Sequence, residues 1–381
     1  MNVEALRERF SSLQKGFAFF DAPGGTQVPD EVGQAVANAM REASGNLGAP
    51  YATGRAVEAI LARAKEDAGR FLGSSADEIS FGMNMTTLDF AISRAAGRDF
   101  QAGDEVLTTE LDHDGGVAPW VELAADKGMT VRVARATDEL TVDYDDLERQ
   151  LSDRTRVVAF AIASNATGSV ADAKRICDLA REAGAISWLD AVHYAAHEPI
   201  DVRELGCDVL LCSPYKFCGP HLGIAYARRE LAETWRPYKA RPSSSTPVGR
   251  KFETGTLPYE LLAGFSATIA YLDSIGGLGA IRDYERALGA HFIDNLPANV
   301  TLYGPPTMDG RVPTFLFNVN GVPAVDAAHR LAERGLGVWH GDNWYCVALG
   351  PRLPEQSLRA GIAHYNTLDE VDRLLEALAA L

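Results

Sequence analysis

Long apolar runs are missing from this chain: among its 381 residues the longest strongly apolar stretch, Val157 to Ala163, has seven. That length suits a buried strand and falls far short of the roughly 20 residues a membrane-spanning helix needs. Cysteine is scarce as well. The five present, Cys177, Cys207, Cys212, Cys218 and Cys346, are an odd number and form no C-x-x-C pair, which argues for a reduced, cytoplasmic protein with no metal site. Positive charge is the third shortage, because 36 Lys and Arg face 52 Asp and Glu for a net charge of -16. A field of that sign repels phosphate backbones and anionic lipid, so the expected partners exclude nucleic acid and membrane and favour small molecules. Signal-peptide character is also absent, since Arg7, Glu8, Arg9 and Lys15 punctuate the first twenty residues.

What is present is an alternation. Apolar runs at Ile79 to Phe81, Glu105 to Thr109, Thr130 to Ala134, Val157 to Ala163, Ile186 to Asp190 and Val209 to Ser213 are separated by helical patterns such as Thr87 to Ala96 and Ala171 to Ala183. This predicts an α/β fold, a mostly parallel sheet covered by helices on both faces. A long helix is expected from Tyr259 to Ile275, followed by helices and short strands at Val300 to Tyr303, Thr314 to Val319 and Gly337 to His340. The predicted organisation is a large domain over residues 21–275 and a smaller α+β domain over 276–381, with residues 1–20 joining the small domain.

In parallel sheets, ligand-binding residues collect at the carboxyl ends of strands. Asp190 ends one apolar run and Lys216 follows the next. A lysine buried there is driven toward its neutral amine, the form that Schiff-base chemistry requires. A carboxylate beside a pyridine nitrogen keeps that ring protonated and electron-withdrawing. Together the two suggest pyridoxal phosphate, although the spacing alone fits a helix-capping aspartate and a surface lysine equally well.

The run Ser213-Pro214-Tyr215-Lys216-Phe217-Cys218-Gly219-Pro220-His221-Leu222-Gly223 resembles the lysine segment of the class V aminotransferases, a group that includes cysteine desulfurases, selenocysteine lyases and isopenicillin N epimerases. Four more stretches match in the family's order: Phe20-Asp21-Ala22, Leu111-Asp112-His113, Phe252-Glu253-Thr254-Gly255-Thr256, and Leu358 to Thr367. The resemblance spans nearly the whole chain. It implies the type I fold of pyridoxal-phosphate-dependent transferases, with a seven-stranded type of sheet.

Carried over residue by residue, the resemblance makes Lys216 the cofactor anchor and the base at the substrate Cα. It makes Asp190 the partner of the pyridine nitrogen and His113 the group stacked on the ring. Asn165 and His193 would face the phenolic oxygen, while Met85, Thr86, Ser213 and Tyr215 would hold the phosphate. Gly255 and Thr256 match a segment that reaches the phosphate of a second subunit, implying a homodimer. Arg359 matches the arginine that binds the substrate carboxylate, a task suited to a planar fork, though a structural salt bridge is the other reading. Asn46, in the turn-like Gly45-Asn46-Leu47-Gly48, is a substrate-side candidate that also fits an ordinary loop residue.

Three departures bear on the reaction. His193 stands where the family usually carries glutamine, and Tyr215 where it usually carries histidine. In Val338 to Cys346, Asn343 or Trp344 aligns with the cysteine that desulfurases use to accept sulfur. Cys346 falls later, in an apolar run from Tyr345 to Leu349 that predicts a strand and a buried structural thiol. The resemblance is therefore to the desulfurase-like branch. It implies Cα deprotonation of an α-amino acid by Lys216, then β-elimination of a C–S lyase-like or desulfurase-like kind without the loop cysteine. Transamination, epimerisation and, from another class, a non-catalytic scaffold stay open on sequence alone.

Overall fold

The computed structural model describes residues 1–381. A seven-stranded sheet runs in the order Ile79–Gly82, Gly223–Ala227, Val209–Cys212, Ile186–Asp190, Thr155–Ala161, Glu105–Thr109, Thr130–Ala134. Neighbours are parallel except at Gly223–Ala227, which is antiparallel to the strand on each side. All six predicted runs form strands with bounds within two residues of those expected. The antiparallel strand is not foreshadowed, because Gly223-Ile224-Ala225-Tyr226-Ala227 is rich in residues of low β-propensity.

Successive residues of a strand point to opposite faces, and the two faces feed separate cores. Val158, Phe160, Leu189 and Leu210 enter one core, while Val157, Ala159, Trp188 and Leu211 enter the other. This double burial explains why those segments read as continuous apolar runs rather than alternating ones.

A second sheet, antiparallel, has the order Trp339–Gly341, Ser357–Gly361, Thr314–Val319, Val300–Tyr303. It packs on a core of its own that includes Phe292, Phe315, Phe317 and Leu374. The start of the chain joins this unit through parallel pairing of Ala18–Phe19 with Leu336–Gly337. Arg311 ties the second sheet to the loop that follows Thr155–Ala161: it is buried and donates to the carbonyls of Thr167, Tyr303, Pro305 and Thr314.

The predicted strand from Tyr345 to Leu349 does not exist. Trp344 and Tyr345 take φ of +57° and +61°, a left-handed conformation that cannot continue a ladder. The segment turns instead, with the Cys346 amide donating to the Asn343 carbonyl at 2.9 Å. No single helix is long and apolar enough to cross a membrane.

Candidate active site

Between the carboxyl ends of the central strands and the edge of the second sheet lies a cavity of about 370 Å³. It brings together Met85, Thr86, His113, Asn165, Asp190, His193, Ser213, Tyr215, Lys216 and Arg359. Asn46, Gly255 and Thr256 are not part of it. They line a separate hollow of about 270 Å³.

Lys216 closes a short 3-10 turn, Pro214–Lys216, directly after the Val209–Cys212 strand. Its Nζ donates to the Pro23 carbonyl. Burial, reinforced by the Arg359 guanidinium, lowers its pKa to about 7, against the opposing pull of Asp21 and Asp190. Asp190 is the last residue of its strand. Its Oδ1 accepts from the Val192 amide at 2.8 Å, and Oδ2 takes no hydrogen bond from the chain. Burial raises this carboxyl to about 6.

The helix Met85–Ala96 aims its N-terminus at the same cavity. Asn84 caps it by accepting from the Thr87 amide at 2.9 Å, and the Met85 amide donates to Ser213 Oγ at 3.1 Å. The Thr86 amide is left without a partner at the positive end of the helix dipole. Glycine at 223 permits this placement, since a Cβ there would come within 2.4 Å of the Asn84 backbone.

His113 is set by the residue before it. The buried Asp112 carboxylate accepts from the Thr109 amide, the Thr109 hydroxyl and the Ala161 amide at 2.7, 2.8 and 2.8 Å. This fixes the turn after the strand. His113 then caps the helix Asp114–Lys127, its Nδ1 accepting from the Gly115 amide at 2.9 Å. Burial and the nearby Lys216 and Arg359 cations lower the imidazole to about 4, so the neutral ring carries its proton on Nε2.

Three other candidates are committed to neighbours. His193 Nε2 hydrogen-bonds Thr314 Oγ1 of the second sheet at 2.8 Å. Asn165 donates to the Trp344 carbonyl at 2.9 Å and accepts from Cys346 Sγ at 3.3 Å. The Tyr215 ring stacks on His221 with centroids 4.9 Å apart.

Arg359 projects from the Ser357–Gly361 strand. Its Nη1 donates to the Asn165 carbonyl at 2.9 Å, and its guanidinium lies 4.3 Å from the Trp344 ring centroid. The nearest carboxylate, Asp21, is 3.9 Å away, and Nε is buried without a partner. Burial lowers this group to about 10, which leaves it a cation at neutral pH. It is a desolvated positive charge with spare donors, a configuration that favours an incoming carboxylate.

The stretch Val338 to Cys346, matched in sequence to the loop that carries the desulfurase cysteine, supplies the cavity's outer wall through Trp339, His340, Asp342, Trp344 and Tyr345, none of which was expected to line the site. The available signal is the crowding of three aromatics within residues 339–345. Trp344 is buried, with Nε1 donating to Ser357 Oγ at 2.8 Å. Tyr345 lies nearly parallel to His113, centroids 5.3 Å apart. Cys346 is fully buried, and burial pushes its thiol up to about 12.

The aminotransferase class-V family description matches residues 18–374. A probable cysteine desulfurase 2 from Mycobacterium leprae is 34% identical, with 98% of this chain and 95% of that protein aligned. An aminotransferase-like protein from Gibberella zeae is 30% identical, with coverages of 99% and 98%. Among solved structures, the apo cysteine desulfurase of Thermococcus onnurineus superposes with a TM-score of 0.91 at 25% identity, covering 99% of this chain and 97% of that one.

Proposed function

The chain belongs to the class-V aminotransferase family, and from that premise we propose that it binds pyridoxal phosphate through Lys216 and acts on an α-amino acid. The residues fit this cofactor. Lys216 offers an amine poised near neutrality, Asp190 Oδ2 is a free acceptor for a pyridinium proton, and the Thr86 amide is a free donor for phosphate. The observation that carries the proposal is the meeting of Lys216, Asp190 and the weakly countered Arg359 in one cavity.

When bound, the cofactor supplies an electron sink that acidifies the substrate Cα–H. Arg359 holds the substrate carboxylate through its unpaired donors and so orients Cα. Lys216 takes the Cα proton at Nζ, and a pKa near neutrality lets it hold that proton and return it. Asp190 keeps the pyridine nitrogen protonated. Neutral His113 provides a flat, uncharged face, and the Trp344–Tyr345 loop narrows the path for water.

Loss of a β-substituent, with sulfur as leaving atom, requires none of the cysteines. The fully buried Cys346 supports elimination over persulfide transfer. The test is to incubate the pyridoxal-phosphate-loaded protein with a panel of amino acids. Ammonia with a keto acid supports elimination, whereas conversion to pyridoxamine phosphate makes the enzyme an aminotransferase.

The same reading includes a homodimer. Gly255 and Thr256 lie outside the cavity of their own chain, as residues serving a partner's phosphate would. A monomer at micromolar concentration with full cofactor occupancy would refute it. All five cysteines are buried and unpaired, which supports a reducing, cytoplasmic setting.

A further inference from the structure

Two aromatic rings stand at the mouth of the crevice with most of their surface bare. Trp339 is 51% exposed and Tyr345 is 70% exposed, yet both line the cavity. Trp339 is paired directly with Arg359 in the antiparallel ladder. Residues so opposed project to the same face with Cβ atoms about 5 Å apart, so this indole stands beside the carboxylate-binding guanidinium. Trp344 fills another side of that guanidinium. Tyr345 belongs to a different wall, against His113.

The Tyr345 backbone is held firmly. Its carbonyl accepts from the Asp114 amide at 2.7 Å, and its amide donates to Asn343 Oδ1 at 2.9 Å. Two left-handed residues in succession are costly unless their surroundings fix them, as these bonds do. Rigid aromatic faces bind a flat apolar group at little entropic cost.

Resting on the amino-acid reading above, we propose that the crevice selects α-amino acids whose β-sulfur carries an aromatic group, the ring placed between Trp339 and Tyr345 while the carboxylate lies on Arg359; phenylalanine, which has no leaving atom, serves as the binding probe. A one-carbon side chain such as that of cysteine or alanine offers too little surface to cover two rings. Asp342 on the same rim opposes acidic side chains.

The test titrates the pyridoxal-phosphate-loaded protein with L-phenylalanine and L-alanine. Equilibrium binding is read from the cofactor's visible absorbance, with tryptophan fluorescence as an independent signal. Phenylalanine should bind roughly tenfold or more tightly than alanine, given the apolar area a phenyl ring buries. Trp339→Ala and, separately, Tyr345→Ala should each move that ratio toward one. Melting curves check that the variants remain folded. Equal binding of the two amino acids by the parent, or a ratio that neither substitution moves, overturns the proposal and leaves the amino-acid reading intact. If neither amino acid perturbs the cofactor signals, the proposal and the reading it rests on both fail.

Discussion

The floor and the roof of the crevice are built on different principles. Asp190, Ser213 and Lys216 end or directly follow parallel strands whose neighbours on both faces are buried. Their positions are inherited from a hydrogen-bond ladder. Trp344 and Tyr345 sit on a turn whose shape rests on two left-handed residues and on bonds from Asn165 and Asp114 to their carbonyls. A ladder preserves geometry through many sequence changes, whereas a turn of this kind is rebuilt by a few. The floor therefore supplies positions set by the sheet, and the roof supplies positions set by a single turn.

The most severe way to break that comparison is to remove the floor's anchor. Lys216→Ala is expected to lower turnover by roughly three orders of magnitude or more, since both the proposed attachment and the proposed proton transfer depend on Nζ. Borohydride reduction should then fix no pyridoxal phosphate to the chain. Cofactor still trapped in the variant would assign the anchor to another lysine.

The floor can also be probed by pH. Only the neutral amine attacks an aldehyde, and Lys216 titrates at about 7 because it is buried and faces Arg359. Capture of pyridoxal phosphate by the cofactor-free protein should slow about tenfold for each pH unit below 7 and level off above it. An ordinary exposed lysine, titrating near 10.4, would keep gaining rate from pH 7 to pH 10. A stopped-flow profile of that second shape would show that Lys216 is not desolvated as described.

Legibility in the sequence follows the same division. Doubly buried strands announce themselves as β-branched runs, and the functional residues at their ends follow by topology, so Asp190 and Lys216 could be singled out from spacing and chemistry. The Gly223–Ala227 strand escaped because three of its five residues are Gly or Ala, and its place in the sheet rests on pairing with a neighbour on each side. The roof escaped for a stronger reason. Tyr345 to Leu349 is apolar enough for a strand, and the turn is forced by local bonds to Asn343 together with tertiary bonds from residues nearly 180 and over 230 positions away. Asn165 and His193 show a further limit: the motif identifies the residues, but their hydrogen bonds go to Trp344, Cys346 and Thr314.

Arg359 joins floor to roof, and its removal should have an intermediate effect. Arg359→Ala is expected to weaken amino-acid binding roughly 10- to 100-fold, the range for a charge-assisted hydrogen bond to a carboxylate. Arg359→Lys should recover only part of it, because a point charge cannot replace the planar fork against Trp344. Full recovery by lysine would mean that charge alone, without the stacked geometry, orients the substrate.

The smallest effect is expected where a desulfurase would show one of its largest. Cys346 Sγ lies beneath the roof, fully buried, with Asn165 Oδ1 at 3.3 Å and the Leu111 carbonyl at 3.8 Å as acceptors. Burial pushes the thiol up to about 12, so the reactive thiolate is essentially absent at neutral pH. A serine hydroxyl can donate to the same acceptors, and Cys346→Ser should leave turnover within a few-fold of the parent. A nucleophile lost in this way typically costs orders of magnitude. The decisive pair of measurements is product release and Cα proton exchange with solvent. Loss of sulfide release with exchange intact would place the thiol in the chemistry, and the roof would then have to open far enough to expose Cys346. Retention of both would leave the roof as a fixed wall, with the reaction confined to the residues of the floor and Arg359.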